Sequence, residues 1–288
     1  MKLFDVFKNM LSILPESQYS DRHFEADCLI EFVLGKKRAD LGSDFTVTEE
    51  NREKLYSLCK KRREGYPLQY ILGEWPFFDM DLEVGEGVLI PRRDTEDVCL
   101  HAFEYVNKFI NPNVLDLCRG TGAIGLRIKK HCPHANVVAL EKYDEAYSYL
   151  LKNIEKTGLC VLPLKGDVFN TDYVIEDETF DVIISNPPYI DPAFRGSMQK
   201  ELTFEPEQAL FAKDSGLRFY KFISKYYYHA IKDDGYLIFE YGYDQAEKVK
   251  NIILASPYRI IEEIVDSRGN PRGIIAQKLA NINKKILE

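Results

Sequence analysis

Apolar positions in the first 75 residues recur at helical spacing, with no alternating run among them. The stretch Leu3 to Leu14 is one such segment. Ser20 or Asp21 then caps a helix that stops at Gly35, and Thr48 caps one that stops at Gly65. Short polar side chains satisfy the free N–H groups at a helix start, and glycine accepts the left-handed turn at its end. Residues 1–75 therefore read as a small helical domain. Residues 76–92, with Phe77, Phe78, Val84 and Val88 among glycines, read as a β-hairpin linker. From 93 to 288 strand and helix patterns alternate, with strands near 114, 137, 161 and 181, a helix over about 215–231 and a strand Tyr236–Glu240. Such alternation builds a parallel sheet covered on both faces. Two last strands, near 258–265 and 273–278, flank the turn-rich Asp266-Ser267-Arg268-Gly269-Asn270-Pro271 and close the sheet as an antiparallel pair.

Candidate chemistry falls at the carboxyl ends of these strands, where open α/β sheets bind ligands. Asn113-Val114-Leu115-Asp116-Leu117 runs into Cys118-Arg119-Gly120-Thr121-Gly122 and then a helix. Glycines there let the backbone approach a ligand at a helix N-terminus, where free N–H groups favour polar or anionic atoms. Glu141 ends the next strand, the position from which a carboxylate accepts both ribose hydroxyls of a nucleoside cofactor. The loop lacks the third glycine of the dinucleotide fingerprint, and Asp116 stands where it can engage a charged amino-acid moiety, which tilts the cofactor toward S-adenosylmethionine. Asn186-Pro187-Pro188-Tyr189 follows the apolar strand Phe180–Ser185. Two prolines fix φ and remove two N–H groups, leaving a rigid acceptor site. A planar NH2 group there donates to the Asn186 side-chain oxygen and to a proline carbonyl, while Tyr189 covers its face. The bland alternative is an Asn-Pro turn.

The glycine turn, Glu141, Gly166-Asp167-Val168-Phe169 and the Asn-Pro-Pro-Tyr strand end occur in the order of the class I methyltransferases that alkylate amino groups. Within that group the chain resembles the HemK or PrmC family, protein-glutamine N5-methyltransferases that act on peptide chain release factors. Further matching segments are Tyr66–Gly73, Val88–Arg92 with Thr95-Glu96, Glu205-Pro206 with Ala209-Leu210, Asp234-Gly235, and Glu240 to Gln245. The resemblance implies an α/β, class I (Rossmann-like) S-adenosylmethionine-dependent methyltransferase domain with a small N-terminal helical domain that grips a release factor. It also implies a cofactor held by Asp116, Cys118, Arg119, Gly120, Thr121, Gly122, Glu141, Asp167, Val168 and Asn186, and a substrate glutamine held by Asn186, Pro187, Pro188 and Tyr189, of which Asn186, Pro187 and Tyr189 are catalytic. Cys118 and Arg119 stand where the family usually shows Gly or Cys and then Thr, and Arg93 replaces the customary proline. Arg119 admits two outcomes. Turned away, it leaves the backbone amides to serve the cofactor; turned inward, its guanidinium repels the sulfonium.

Composition narrows the partners. The 288 residues are 45% hydrophobic, enough for a full core, and the net charge of −8 lacks the basic footprint of a nucleic-acid binder. Lys60-Lys61-Arg62-Arg63 is the one dense basic run, read as favourable charge at a helix C-terminus rather than a contact site. Six cysteines without a Cys-x-x-Cys pair read as the reduced thiols of a cytoplasmic protein, and no metal is expected, His131-Cys132-Pro133-His134 being a turn. The first residues, with Asp5 and Pro15, make neither a signal peptide nor a membrane span. A glutamine methyltransferase for a ribosomal protein, an adenine-N6 DNA or RNA methyltransferase and a non-catalytic cofactor-binding protein stand as alternatives.

Overall fold

The computed structural model describes residues 1–16, 21–42, 44–170 and 177–280. Two compact units divide the chain, Met1–Trp75 with Gln199–Phe204, and Pro76–Met198 with Glu205–Glu288.

Helices α1 (Leu3–Ile13), α2 (Arg22–Leu34), α3 (Glu49–Arg63) and α4 (Leu68–Leu72) build the first unit around Val6, Met10, Leu29, Ile30 and Leu55. Asp21 caps α2 by accepting from the N–H groups of His23 and Phe24, and Gly35 ends it at φ 67°. Ser20, the other expected cap, lies outside the described residues. Thr48 caps α3 by accepting from Asn51 N–H. The basic run ends α3 as expected, except that Arg62 turns inward and is 2% exposed. Its guanidinium donates to both oxygens of Glu25, at 2.6 and 2.9 Å, and to Glu201 at 2.7 Å in the 3₁₀ turn Lys200–Phe204. A planar fork matches two carboxylates better than it matches water, so the charge reads as a buried hub and not as a helix-end effect.

Strands β1 (Glu74–Phe77), which begins in the last residues of the first unit, and β2 (Met80–Glu83) form a short hairpin, and residues 84–92 of the second unit continue without a strand. Then come α5 (Arg93–Val106), β3 (Asn113–Leu117), α6 (Ala123–His131), β4 (Asn136–Glu141), α7 (Asp144–Thr157), β5 (Val161–Lys165) and β6 (Phe180–Ser185). The chain finishes with α8 (Glu207–Leu210), α9 (Arg218–Tyr226), β7 (Ile231–Glu240), α10 (Ala246–Leu254), β8 (Tyr258–Val265) and β9 (Pro271–Lys278). The expected helix over 215–231 is shorter: Ser215 (φ 55°) and Gly216 (φ 82°) hold left-handed backbone before it starts at Arg218, and it ends at Tyr226, with Tyr227 as its C-cap, buried and donating its hydroxyl to Val168 O.

The sheet runs β5-β4-β3-β6-β7-β9-β8. Its first five strands are parallel, and β9 pairs antiparallel with both β7 and β8. All six residues of β6 are buried, as a strand covered on both faces must be. Val182 and Ile184 face Val98, Ala102 and Leu126 on one side, while Ile183 faces Tyr220, Ile223 and Ile253 on the other. Each such side chain contributes roughly 1.5–3 kcal/mol on burial. Strand order reverses between β3 and β6, and a crevice opens at that switch point above their carboxyl ends.

Candidate active site

Between β3 and α6 the backbone enters the left-handed region three times in five residues, at Cys118 (φ 59°), Gly120 (φ 52°) and Gly122 (φ 84°). A Cβ on Gly122 would stand 2.6 Å from Leu150 Cδ1, so only glycine fits. Glu141, the last residue of β4, fastens this loop: Oε2 accepts from Gly120 N–H at 2.9 Å, and Oε1 accepts from Lys142 and Tyr143 N–H at 2.8 and 2.9 Å. Nothing in the sequence pattern announced that staple. Three bonds leave one lone-pair site, on Oε2, for a further donor.

Arg119 takes the outcome in which it turns away. Its side chain is 0% exposed and lies 2.5 Å from Asp116 Oδ1, packed beneath the loop near Gly125. The contact is a buried ion pair. What Arg119 shows to the crevice is main chain. The expectation that Asp116 engages a cofactor meets a carboxylate 1% exposed and committed to Arg119. Burial pushes the Asp116 carboxyl up to about 7, against the pull of the guanidinium.

At the end of β6, Asn186 Nδ2 donates to Thr95 Oγ1 at 3.2 Å. The Tyr189 carbonyl accepts from Gln245 Nε2 at 2.9 Å, and Gln245 Oε1 accepts from Gly242 N–H at 3.2 Å. Gly216, at φ 82°, lets this turn close, since a Cβ there would meet Tyr189 O at 2.0 Å. Burial raises the Tyr189 hydroxyl pKa well above its ordinary value, so the ring stays neutral. Ile190 N–H donates to Leu210 O and its carbonyl accepts from Ala212 N–H, so the segment after the tetrapeptide is pinned too. Glu205 accepts from Ile90 N–H at 3.0 Å and pairs with Arg92, giving those two family-like segments a shared purpose.

Both strand ends open onto one cleft enclosing about 980 Å³ with its mouth. Cys118, Arg119, Gly120, Thr121, Glu141, Asp167, Val168, Asn186 and Pro188 line it, together with Thr95. Asp116, Gly122, Pro187 and Tyr189 stand behind this lining. The wall suits S-adenosylmethionine. Leu140, Val168, Phe169 and Phe219 offer apolar surface for a purine, and Glu141 offers its remaining acceptor site for a ribose hydroxyl. Every arginine and lysine of the lining is paired with a carboxylate: Arg119 with Asp116, Lys142 with Asp167 at 2.8 Å, and Arg92 with Glu205. No unpaired cation among these described residues opposes a sulfonium.

A parallel sheet with an antiparallel closing pair, carrying a nucleoside-shaped cleft at its switch point, defines an α/β, class I (Rossmann-like) S-adenosylmethionine-dependent methyltransferase. A methyltransferase from Pyrococcus furiosus shares this fold with a TM-score of 0.52 at 19% identity, over 71% of this chain and 91% of that one. Residues 100–212 match the methyltransferase small domain and residues 5–73 match the PrmC N-terminal domain. The release factor glutamine methyltransferase of Fusobacterium nucleatum is 32% identical over 95% of this chain and 78% of its own. That of Clostridium botulinum is 31% identical over 96% of this chain and 100% of its own. The chain belongs to the release factor glutamine methyltransferase family.

Proposed function

We propose that this protein methylates the side-chain amide nitrogen, N5, of a glutamine in a peptide chain release factor, at its Gly-Gly-Gln loop. The observation that carries this reading is the rigid Asn186–Tyr189 end of β6, opening onto the same cleft as Glu141 and the glycine loop. S-adenosylmethionine supplies the methyl as an electrophilic carbon on sulfur. The chain's own residues handle a poor nucleophile, because an amide lone pair is delocalised. Asn186 Oδ1 and a carbonyl of the following prolines accept the two N–H bonds and direct them away from the methyl, favouring pyramidalisation. Such near-attack positioning contributes on the order of 7–11 kcal/mol. No strong base is needed beforehand, since the nitrogen becomes acidic only as it is alkylated.

Glu141 would accept a ribose hydroxyl at its remaining lone-pair site, and the amides of the 118–122 loop would face the cofactor's polar end. The first unit would grip the release factor, supplying orientation that a short peptide lacks. A net charge of −8 argues against a nucleic-acid substrate, and a cytoplasmic location suits both that substrate and the six free thiols. Among the described residues no helix is long and apolar enough to cross a membrane.

Transfer of labelled methyl to purified release factor, ribosomal proteins and duplex DNA tests this. Incorporation into folded release factor, far above a Gly-Gly-Gln peptide, is the expected result. Robust adenine methylation, or labelling of a ribosomal protein alone, would overturn it.

A further inference from the structure

The two ends of a side-chain amide are nearly the same size, so which end meets a given partner is set by what that partner donates or accepts. Gln245 has no choice. Its Oε1 meets the Gly242 N–H at 3.2 Å, and its Nε2 meets the Tyr189 carbonyl at 2.9 Å. A backbone N–H only donates and a backbone carbonyl only accepts, so the amide fits one way round. Gln245 is 6% exposed and stands just before α10, where its own N–H donates to Gly242 O at 2.8 Å and closes the turn between them. The side chain is therefore anchored before it reaches Tyr189.

The peptide plane it reaches is gripped at both edges. Tyr189 O takes the Gln245 hydrogen bond on one side, and on the other Ile190 N–H donates to Leu210 O at 2.9 Å. The space around that bond is closed: a Cβ on Gly216 would stand 2.0 Å from Tyr189 O and 2.7 Å from Gln245 Nε2, and one on Gly242 would stand 3.4 Å from the Tyr189 ring. At the other end of the tetrapeptide, Ser185 pairs with Leu117 and Phe239 inside the sheet. Between these two fixed ends the prolines lock φ, which leaves their carbonyls few directions in which to point.

We propose that Gln245 is a positioning residue for methyl transfer: by locking the Tyr189–Ile190 peptide plane, it aims a proline carbonyl of the tetrapeptide at the second N–H of the substrate amide. This rests on the reading of Asn186–Tyr189 as acceptor for that amide. Gln245 stands outside the lining of the cleft and acts only through Tyr189. Without its donor, the Tyr189 carbonyl would stay unpaired against Gly216, and the plane would turn to find another partner. The proline carbonyls would turn with it, while the 118–122 loop and Glu141, on the other side of the switch point, would keep their places. The family-like segment Glu240 to Gln245 thereby gains a task at the end of β6.

Kinetics and hydrogen exchange on the intact protein test the clamp. Gln245→Met keeps the bulk and removes both bonds; Gln245→Glu keeps the bond to Gly242 and loses the donor. Val249→Ala, the control, removes buried packing from α10 without touching the clamp. Both Gln245 variants should lose about ten- to a hundredfold in kcat on release factor, the cost of a reacting group misplaced by about an ångström, with KM and cofactor affinity within a few-fold. Val249→Ala should lose stability and keep its kcat. Without substrate, Ile190 N–H should exchange with solvent about tenfold faster in Gln245→Met than in the wild type, with the β6 amides unchanged, and the wild-type Gln245 side-chain NH2 should be protected. Wild-type kcat in both Gln245 variants, an equal fall in Val249→Ala, or an Ile190 N–H indifferent to residue 245 each overturn the proposal. If neither Gln245 variant folds, the wild-type side-chain NH2 decides: exchange as fast as that of a free amide overturns the clamp. If the wild type leaves release factor unmethylated, the functional reading fails, and exchange at Ile190 still judges the clamp.

Discussion

The two strand ends that meet in the cleft work in opposite ways. After β3, the 118–122 loop presents main chain: Arg119 is folded under it, and Glu141 holds it through a backbone N–H. After β6, the tetrapeptide presents a side chain, Asn186, held by another side chain, Thr95. A surface built of amides tolerates changes in the side chains that hang from it, provided each finds a partner beneath. A surface built of one oriented side chain tolerates none at that position. Substitutions at the two ends should therefore fail differently, one in stability and the other in rate.

The largest effect is expected under the loop. Asp116→Ala strands the Arg119 guanidinium, 0% exposed, without its counter-charge. Breaking a buried pair from one side costs about 3–5 kcal/mol of stability. Urea unfolding would measure it, and a loss below about 1 kcal/mol would mean the pair is not what holds the loop down. At the other end, Asn186→Ala should keep its stability and bind cofactor within a few-fold. Its methyl transfer should drop by about 10²–10³-fold, some 3–4 kcal/mol of barrier, as when one transition-state contact is removed. A near-wild-type rate would sink the acceptor role.

Behind the tetrapeptide, Glu240 carries a pH signature of its own. Its folded-state pKa is raised from the ordinary 4.5 to about 7, chiefly by burial. A raised pKa means that the folded state holds the proton more tightly than the unfolded one. That contribution is fully present below pH 4.5 and is lost as the pH rises through about 7. Glu240→Gln removes the loss, so between those limits it should gain on the wild type by on the order of 3 kcal/mol. Parallel melting curves across that range would contradict the assignment. Glu141→Ala is expected to be milder: about 1–3 kcal/mol of cofactor affinity, read by calorimetry, for one charge-assisted hydrogen bond. Because Glu141 also fastens Gly120, some of that loss should appear as stability.

The same contrast separates what was legible in the chain from what was not. Strand order of events, the caps at Asp21 and Thr48, the antiparallel closing pair and the strand ends at Glu141 and Asn186 all follow from local pattern, because each is set by neighbours in sequence. The partners of buried charges are not. Arg62 with Glu201 and Arg92 with Glu205 depend on where distant segments land, and no spacing rule carries that; Asp116 and Arg119 stand three residues apart, but their pairing needs the left-handed turn at Cys118. Gln199–Phe204 is the sharpest case, since a piece of chain following the tetrapeptide belongs to the helical unit. The helix expected over 215–231 is a smaller one: it starts only after the left-handed Ser215 and Gly216 and ends at Tyr226.

The finest test of the contrast is Cys118→Gly. Cys118 holds φ 59°, where a Cβ crowds the backbone at a cost of roughly 1–2 kcal/mol that glycine does not incur. Against that relief, glycine loses about 0.5–1 kcal/mol of extra chain entropy on folding and gives up the packing of a half-buried thiol. These terms nearly cancel, so the midpoint of unfolding should move by no more than about 1 kcal/mol in either direction. Burial pushes the thiol up to about 12, so at neutral pH the substitution removes no charge from the cleft. If main chain serves the cofactor here, affinity should stay within a few-fold of the wild type. A tenfold loss by calorimetry, with stability intact, would show that the Cys118 side chain takes part, and the two strand ends would then differ less than their geometry implies.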